Sequence, residues 1–196
     1  MGAMRERMLR GELYIAGDPE SEAEFGRVQE LLARFNGSAP GASGERDALL
    51  RQMLRRVGDG VAVRPRFFCE YGAISIGDRT FVNVDAVMLD VAPIVIGAAC
   101  QIATRVQLLT ATHPVDPEPR RLGWEYAQPI TIADNVWLGG GVIVCPGVTI
   151  GQDTVVGAGA VVTRDLPAGV VAAGVPARVR REISEEDRVE VPPPSA

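Results

Sequence analysis

The feature that most constrains this chain is an aliphatic side chain at every sixth position of its second half. The unbroken series consists of Ile132, Leu138, Val144, Ile150, Val156 and Val162. Upstream, the same period runs through Ile76, Val82, Met88 and Ile94, and it restarts two residues later at Ile96, Ile102 and Leu108. Such a period fits neither the 3.6-residue turn of an α-helix nor the alternation of a hairpin meander.

A period of six is typical of short strands joined by tight corners, with one inward aliphatic and one inward small side chain per strand. Three strands make a coil of about 18 residues, and successive coils stack at the strand spacing of about 4.8 Å. Because one coil cannot bury its apolar side alone, the coils must stack into a solenoid with capped ends. The sequence therefore predicts a mainly β fold, a parallel β-helix of about five coils.

The chain divides into three predicted segments. Residues 1–59 are predicted to form an N-terminal helical cap, residues 60–180 the β-helix, and residues 181–196 a C-terminal tail. Two apolar runs at helical spacing support the cap, namely Phe25, Val28, Leu31, Leu32 and Phe35, and then Leu49, Leu50, Met53, Leu54 and Val57.

One interruption of the repeat stands out. Residues 114–129 carry four prolines and are too long for a corner, which indicates a loop inserted into the β-helix. Long ordered loops are often functional. His113, the only histidine of the chain, comes directly before this loop. Pro114 biases the backbone of His113 toward an extended conformation, which favours an outward side chain.

Composition limits where the chain works and what it binds. The net charge of −5 argues against general binding to nucleic acid or to membranes, so we expect neither partner. No apolar run approaches the roughly 18 residues of a membrane helix, and the first residues lack the apolar segment of a signal peptide. The odd number of scattered cysteines fits reduced thiols. We therefore expect a cytoplasmic location.

The hexads occur together with four further motifs. These are Met8–Tyr14 (MLRGELY), Thr110–Pro117 (TATHPVDP), Asp134–Val142 (DNVWLGGGV) and Val171–Val179 (VAAGVPARV). Over roughly residues 4–183 the chain resembles the maltose/galactoside O-acetyltransferase family of hexapeptide-repeat acetyltransferases. The resemblance implies a left-handed parallel β-helix, a homotrimer with active sites between subunits, and acetyl-CoA as the acetyl donor. The implied acceptor is a hydroxyl of a sugar or sugar-like molecule.

The resemblance also implies a set of catalytic residues. His113 is expected to act as general base, because a hydroxyl is a poor nucleophile and imidazole titrates near neutral pH. Asn83, expected to point outward from a coil, matches an active-site asparagine whose amide can donate to an oxyanion. Glu125 matches a glutamate of the active-site loop in the maltose branch, where it orients the histidine or contacts the acceptor. We expect direct transfer without an acetyl-enzyme.

Other residues are implied to bind the two substrates. Asp85 and Asp90 could accept hydrogen bonds from sugar hydroxyls, although surface carboxylates are common, and Cys69 stands where some relatives have serine. Acceptor recognition also departs from the pattern of some relatives at Ala16 and Val91. Residues that match the CoA groove are Trp137, Gly140, Ala158 and Thr163. The basic group expected to meet the CoA phosphates consists of Arg164, Arg178, Arg180 and Arg181.

Several alternatives remain at the level of sequence. A zinc enzyme on this fold would need several histidine ligands, so a single histidine argues against a metal site. The acceptor could instead be a xenobiotic or another small molecule, as in chloramphenicol-type or serine acetyltransferases. A non-catalytic β-helix scaffold is a third possibility, because a fold does not determine a function.

Overall fold

The computed structural model describes residues 3–192. The N-terminal cap consists of α1 (Ala3–Leu9), the short strand β1 (Tyr14–Ile15), α2 (Pro19–Asn36) and α3 (Ser43–Met53). The second helix begins at Pro19 because the Asp18 side chain accepts a hydrogen bond from Ser21 N at 3.1 Å, and proline fits a first helical turn. Its inward face is buried through Val28, Leu32 and Phe35.

Asn36, the last residue of α2, joins the cap to the β-helix. Its Oδ1 accepts a hydrogen bond from Phe67 N at 2.9 Å, and its Nδ2 donates to Phe67 O at 2.8 Å. Phe67 begins a strand at the end of a sheet, where backbone groups would otherwise remain open to pairing with another chain. The helical cap therefore closes the first coil as the sequence predicts.

The first three coils each contain three short strands. They are β2 (Arg56–Val57), β3 (Ala62–Val63), β4 (Phe67–Cys69), β5 (Ile74–Ile76), β6 (Phe81–Val82), β7 (Ala86–Leu89), β8 (Ile94–Ile96), β9 (Gln101–Ile102) and β10 (Gln107–Leu109). The solenoid thus begins at Arg56, a few residues before the boundary predicted from the repeat.

The loop after the third coil is a folded hairpin. It contains β11 (Ala111–Thr112), the short helix α4 (Pro117–Arg121) and β12 (Trp124–Ala127). The two strands pair antiparallel with each other, and β12 also pairs antiparallel with β1 of the cap. The inserted segment is therefore held against the N-terminal cap.

The chain then returns to the solenoid. The remaining strands are β13 (Ile130–Ile132), β14 (Trp137–Leu138), β15 (Ile143–Val144), β16 (Thr149–Ile150), β17 (Val155–Val156), β18 (Val161–Val162), β19 (Val170–Ala173) and β20 (Arg178–Glu182). The last strand pairs antiparallel with β19 and closes that end. The predicted tail accordingly begins inside β20; it continues through a 3-10 helix, Glu185–Asp187, and its residues 193–196 lie outside the described residues.

Stacking of the coils generates three parallel sheets. The first sheet contains β2, β5, β8, β13 and β16; the second contains β3, β6, β9, β14, β17 and β19, with β20 added antiparallel at its end; the third contains β4, β7, β10, β15 and β18. Over residues 3–192 these strands make five complete coils and the start of a sixth. The mainly β, solenoidal fold class predicted from the hexads is confirmed.

The hexad residues form ladders inside the solenoid. In the first sheet, Ile76 lies on Ile96, which lies on Ile132, and all three are buried. Each strand contributes one such residue, so the sequence repeats once per strand and the structure once per three strands. The two-residue shift of the period arises between β7 and β8, where the successive inward residues Met88 and Ile96 are eight residues apart instead of six.

Candidate active site

Two edges of the solenoid collect the predicted site residues. The corners between the second and third sheets form the Asn83 edge, which contains Asn83, Asp85, Gly140 and Ala158. The corners between the third and first sheets form the His113 edge, which contains Cys69, Glu70, Asp90, His113, Thr163 and Arg164. The third sheet lies between these edges.

His113 follows β11, and 57% of its side chain is exposed. Its Nδ1 lies 3.5 Å from the Trp124 carbonyl oxygen, and its Nε2 lies 3.9 Å from Glu125 Oε2. Both contacts come from β12, so the loop hairpin sets the orientation of the ring. With a hydrogen on Nδ1 directed at the carbonyl, the neutral ring presents a lone pair on Nε2. Such contacts are often long in an unliganded site and tighten around substrate.

Glu125 is held in place by the N-terminal cap. Tyr14 lies opposite Glu125 in the pairing of β1 with β12, and only 18% of the Glu125 side chain is exposed. Burial raises the pKa of Tyr14, and the Glu125 carboxylate raises it further. Tyr14 therefore stays a neutral phenol that can donate a hydrogen bond to Glu125. The N-terminal cap therefore helps to hold the Glu125 carboxylate beside His113.

The structure corrects the role predicted for Asp90. This residue is fully buried, and its carboxylate accepts hydrogen bonds from the backbone N–H groups of Glu70, Tyr71 and Ala73 at 2.6, 3.2 and 2.5 Å. These bonds fasten one corner of the solenoid to the next. A carboxylate used in this way has no exposed oxygen for an acceptor hydroxyl, so Asp90 is a structural residue.

Cys69 is corrected for the same reason. Its side chain is fully buried in the main core, where it is stacked with Met88. Burial raises the pKa of the thiol, and the nearby Asp90 carboxylate raises it further. A thiol that is neither exposed nor ionised can neither contact the acceptor nor attack a thioester.

Glu70 is a residue that the sequence reasoning missed. It lies between Cys69 and Tyr71 at the first corner of the His113 edge, and its Oε2 is buried with no hydrogen-bond partner within residues 3–192. Burial, followed by the charges of Asp90 and Glu125, raises the pKa of Glu70 to about 7. The only signal in the sequence is an acidic residue directly after a buried strand.

Asn83 lies on the opposite edge of the third sheet. Its Oδ1 accepts a hydrogen bond from Val84 N at 2.9 Å, which leaves the Nδ2 amide as the group that can donate to a ligand. Asp85, on the same corner, forms a two-pronged ion pair with Arg66 at 2.7 and 2.9 Å. This pair lowers the pKa of Asp85. An acceptor would have to compete with Arg66 for that carboxylate.

The two edges do not meet within one chain. Between them runs β7, a strand of four residues, which spans about 13 Å. Asn83 therefore does not lie beside His113 in the same subunit. The outward row of the third sheet between the edges is mainly apolar and half-buried, with members Phe68, Val87, Gln107, Ile143 and Val161.

The predicted CoA residues are divided between the same two edges. Gly140 and Ala158 lie on successive coils at the Asn83 edge, where Gly159 N donates a hydrogen bond to Gly140 O at 2.9 Å. Thr163 lies on the His113 edge. Trp137 is 53% exposed on the outward face of the second sheet. A Cβ on Gly140 would meet only ordinary contacts, the nearest at 3.5 Å from Thr104 O. Internal packing therefore does not explain why this position is glycine.

The predicted phosphate-binding arginines differ in whether their guanidinium groups already pair with a carboxylate. Arg181 forms an ion pair with Asp187 through contacts of 2.6 and 2.7 Å, and this pair lowers the pKa of Asp187 to about 2. A CoA phosphate would therefore have to compete with Asp187 for this guanidinium. Among the described residues, Arg164, Arg178 and Arg180 have no carboxylate partner. Arg178 pairs with Ala173 at the end of β19, next to the Asn83 edge.

In the part of the chain that the structure describes, no three His, Cys, Asp or Glu side chains are grouped so that they could hold a metal ion. No helix within residues 3–192 is long and apolar enough to span a bilayer.

Two family models match separate parts of the chain. Residues 7–58 match the family described as the maltose acetyltransferase hexapeptide capping motif, and residues 129–164 match the bacterial transferase hexapeptide family with its six repeats. The first match falls on the helical cap and the second on the coils after the loop.

Similar proteins extend these matches over nearly the whole chain. The galactoside O-acetyltransferase of Escherichia coli (strain K12) is 41% identical over 189 residues, which cover 94% of this chain and 92% of that protein. A crystal structure of a maltose O-acetyltransferase from Clostridium difficile 630 superposes with a TM-score of 0.92 at 42% identity, covering 94% of this chain and 99% of that one. A galactoside acetyltransferase in complex with coenzyme A gives a TM-score of 0.92 at 39% identity, covering 95% and 94%. This chain therefore belongs to the maltose and galactoside O-acetyltransferase family of hexapeptide-repeat proteins and is an acetyltransferase.

Proposed function

We propose that this acetyltransferase moves the acetyl group of acetyl-CoA directly to a hydroxyl of a sugar or sugar-like acceptor, with His113 as general base. The observation that carries the proposal is the position of the exposed ring, with Nδ1 3.5 Å from the Trp124 carbonyl oxygen and Nε2 3.9 Å from Glu125 Oε2. A histidine held in this way keeps one nitrogen free to take a proton. The coenzyme A bound to a similar structure supports the donor.

The proposed reaction is a single acyl transfer. Nε2 of His113 removes the acceptor hydroxyl proton as the oxygen forms a bond to the thioester carbonyl carbon, and the carbon–sulfur bond then breaks. The proton held on His113 passes to the leaving thiolate, so the ring ends neutral. Glu125, 3.9 Å from Nε2, stabilises the imidazolium while it exists. The buried Cys69 supports direct transfer, because it offers no exposed nucleophile.

We further propose that the working site forms between subunits of a homotrimer. The separation of Asn83 from His113 by the width of the third sheet supports this arrangement, and so does the apolar outward row between them. A neighbouring copy would bring its Asn83 edge against the His113 edge of the first, so that the amide of Asn83 could donate to the developing oxyanion. Gly140 and Ala158 would then line a donor groove opposite Thr163.

An acceptor panel tests the activity itself. Release of free CoA thiol from acetyl-CoA should rise when sugars are added and should remain at the background rate with His113→Ala protein. A panel of simple sugars, amphiphilic glycosides and chloramphenicol separates the sugar proposal from a xenobiotic acetyltransferase. A rate that responds to no hydroxyl compound would refute the proposed hydroxyl acceptor.

Mixing two inactive variants tests the composite site. If each site takes His113 from one subunit and Asn83 from the next, His113→Ala and Asn83→Ala chains unfolded together and refolded should regain activity. Random assembly of equal amounts leaves one intact site in four, so about a quarter of the wild-type activity is expected. Each variant refolded alone is the control. If both residues served one chain's site, the mixture would be as inactive as its components.

A further inference from the structure

Two amide side chains of α2 close the open end of the third sheet. Asn36 Oδ1 accepts a hydrogen bond from Phe67 N at 2.9 Å, and Asn36 Nδ2 donates to Phe67 O at 2.8 Å. Gln29 Nε2 donates to Cys69 O at 2.9 Å. These backbone groups belong to β4, whose only strand partner in this sheet is β7. The two amides therefore take the place of a further strand and hold the helical cap on the β-helix.

Asn36 is followed by glycine, and this is the only Asn–Gly pair of the sequence. An asparagine loses its amide when the backbone nitrogen of the next residue attacks the side-chain carbonyl carbon. Glycine permits this attack most readily, because it has no side chain and a flexible backbone. Asn83 and Asn135 are each followed by valine, whose branched side chain hinders it. The conformation of Gly37, with φ −86° and ψ −1°, is one that any residue adopts, so the backbone does not require glycine there.

The folded cap blocks the attack in two ways. Asn36 is the last residue of α2, and Gly37 N donates to Ala33 O at 3.0 Å, which directs the attacking nitrogen toward the helix. The carboxamide that it must attack is held by both polar backbone groups of Phe67. These contacts must be lost before the nitrogen can reach the carbonyl carbon. Local opening of this kind costs less free energy than global unfolding, so the reaction depends on how often the end of α2 separates from β4.

We propose that Asn36 is a site of spontaneous deamidation that becomes reactive when the cap separates from the first coil, and that its conversion keeps the cap loosened. In the first step Gly37 N forms a bond to the side-chain carbonyl carbon of Asn36, and the side-chain nitrogen leaves as ammonia with the Gly37 proton. Water then opens the resulting succinimide at either carbonyl, which gives aspartate or isoaspartate. Water is the only other reactant, and no step depends on the function proposed above.

The product cannot repeat the contacts of Asn36. A carboxylate can still accept a hydrogen bond from Phe67 N, but it has no hydrogen to donate to Phe67 O. It also places a negative charge against that carbonyl. Phe67 is buried, and a buried acceptor that loses its donor is destabilising. The cap should therefore open more often after conversion, and refolding cannot reverse the change.

Peptide mass mapping of stored protein tests the site and its protection. Trypsin releases residues 35–46 as one peptide, in which Asn36 is the only amide side chain, so the mass change from amide to acid reports this residue alone. In mildly alkaline buffer, native protein should convert at least about tenfold more slowly than the same protein in guanidinium chloride. Gly37→Ala should stay unconverted in both conditions. Equal rates for native and unfolded wild type, or no conversion of the unfolded protein, would overturn the proposal.

A variant that weakens the other amide contact tests whether the cap controls the reaction. Gln29→Ala leaves Asn36 and Gly37 in place but removes the donor to Cys69 O, so the native protein should convert roughly 2- to 10-fold faster. Glu30→Ala, at the neighbouring exposed position of α2, is the matched control and should convert at the wild-type rate. A wild-type rate in Gln29→Ala would contradict control by the cap.

The Asn36→Asp variant tests the consequence of conversion. Its α2 amide hydrogens should exchange with solvent roughly tenfold faster than those of the wild-type protein. The amide hydrogens of β13, inside the stack of coils, should keep their wild-type exchange, which shows that the solenoid remains folded. Unchanged exchange in α2 would refute the loosening of the cap. None of these measurements involves acetyl transfer, so the proposed function can fail while this inference stands.

Discussion

His113→Ala should lower kcat by about 10²–10⁴-fold, the range by which general acid–base catalysis usually accelerates a reaction. Alanine removes the only imidazole of the chain. Without it, the acceptor hydroxyl must lose its proton to water as it attacks. Steady-state kinetics with saturating acetyl-CoA measure the loss. The rising limb of kcat/KM near neutral pH should disappear with the ring, because the group whose free base is required is no longer present.

Two controls distinguish loss of the general base from loss of CoA binding and from an acetyl-enzyme mechanism. Binding of CoA to the variant, measured by calorimetry, should persist, because His113 is half exposed and holds no core contacts. Mass spectrometry of wild-type protein quenched during turnover should find no acetyl adduct. Near-normal turnover of His113→Ala, or an acetyl group trapped on Cys69, would refute the general-base mechanism.

Arg178→Ala should raise the KM for acetyl-CoA by roughly 10- to 100-fold, since a hydrogen bond to a charged group contributes about 1.5–3 kcal/mol. Arg178 is exposed beside the Asn83 edge, and its Nη1 contacts only its neighbour's carbonyl, Ala177 O, at 2.8 Å. Its charge is therefore available for a CoA phosphate. The fold should be unaffected, as judged by circular dichroism.

The matched control is Arg181→Ala on the same strand. Its guanidinium already pairs with Asp187, so removing it should change the KM for acetyl-CoA far less. An unchanged KM for acetyl-CoA in Arg178→Ala, accompanied by weaker acceptor binding, would assign the basic group to the acceptor. A larger effect in Arg181→Ala than in Arg178→Ala would show that the ion pair opens on binding.

Much of the architecture could be predicted from the sequence because it depends on a local repeat. Residues such as Ile96 and Ile132 must point inward wherever a short strand recurs, and their spacing follows from the strand length. The break after His113 likewise had to be a loop, because Pro114 and its neighbours cannot continue the period. The left-handed course of the coils came from the family resemblance, since general rules for crossovers favour the opposite hand.

The candidate site was less predictable, because its chemistry depends on contacts between distant segments. Asp90 and Cys69 carry suitable functional groups, but stacking of the coils buries both. In the sequence, Arg181 and Arg178 are equivalent. Only the folded chain brings Asp187 into an ion pair with Arg181. The pKa of Glu70 rises to about 7 chiefly because the fold buries its carboxyl group, and the charges of Asp90 and then Glu125 raise it further.

The sequence by itself determined the coil, the cap and the position of the single histidine, because these follow from periodicity, helical spacing and composition. Only the tertiary structure decided which polar groups remain free. A side chain's burial, its ion-pair partner and its proton affinity all depend on which coil lies above it and which edge it occupies. The sequence places Asn83 and His113 thirty residues apart, whereas the fold sets them on opposite edges of one sheet, because three strands close each coil.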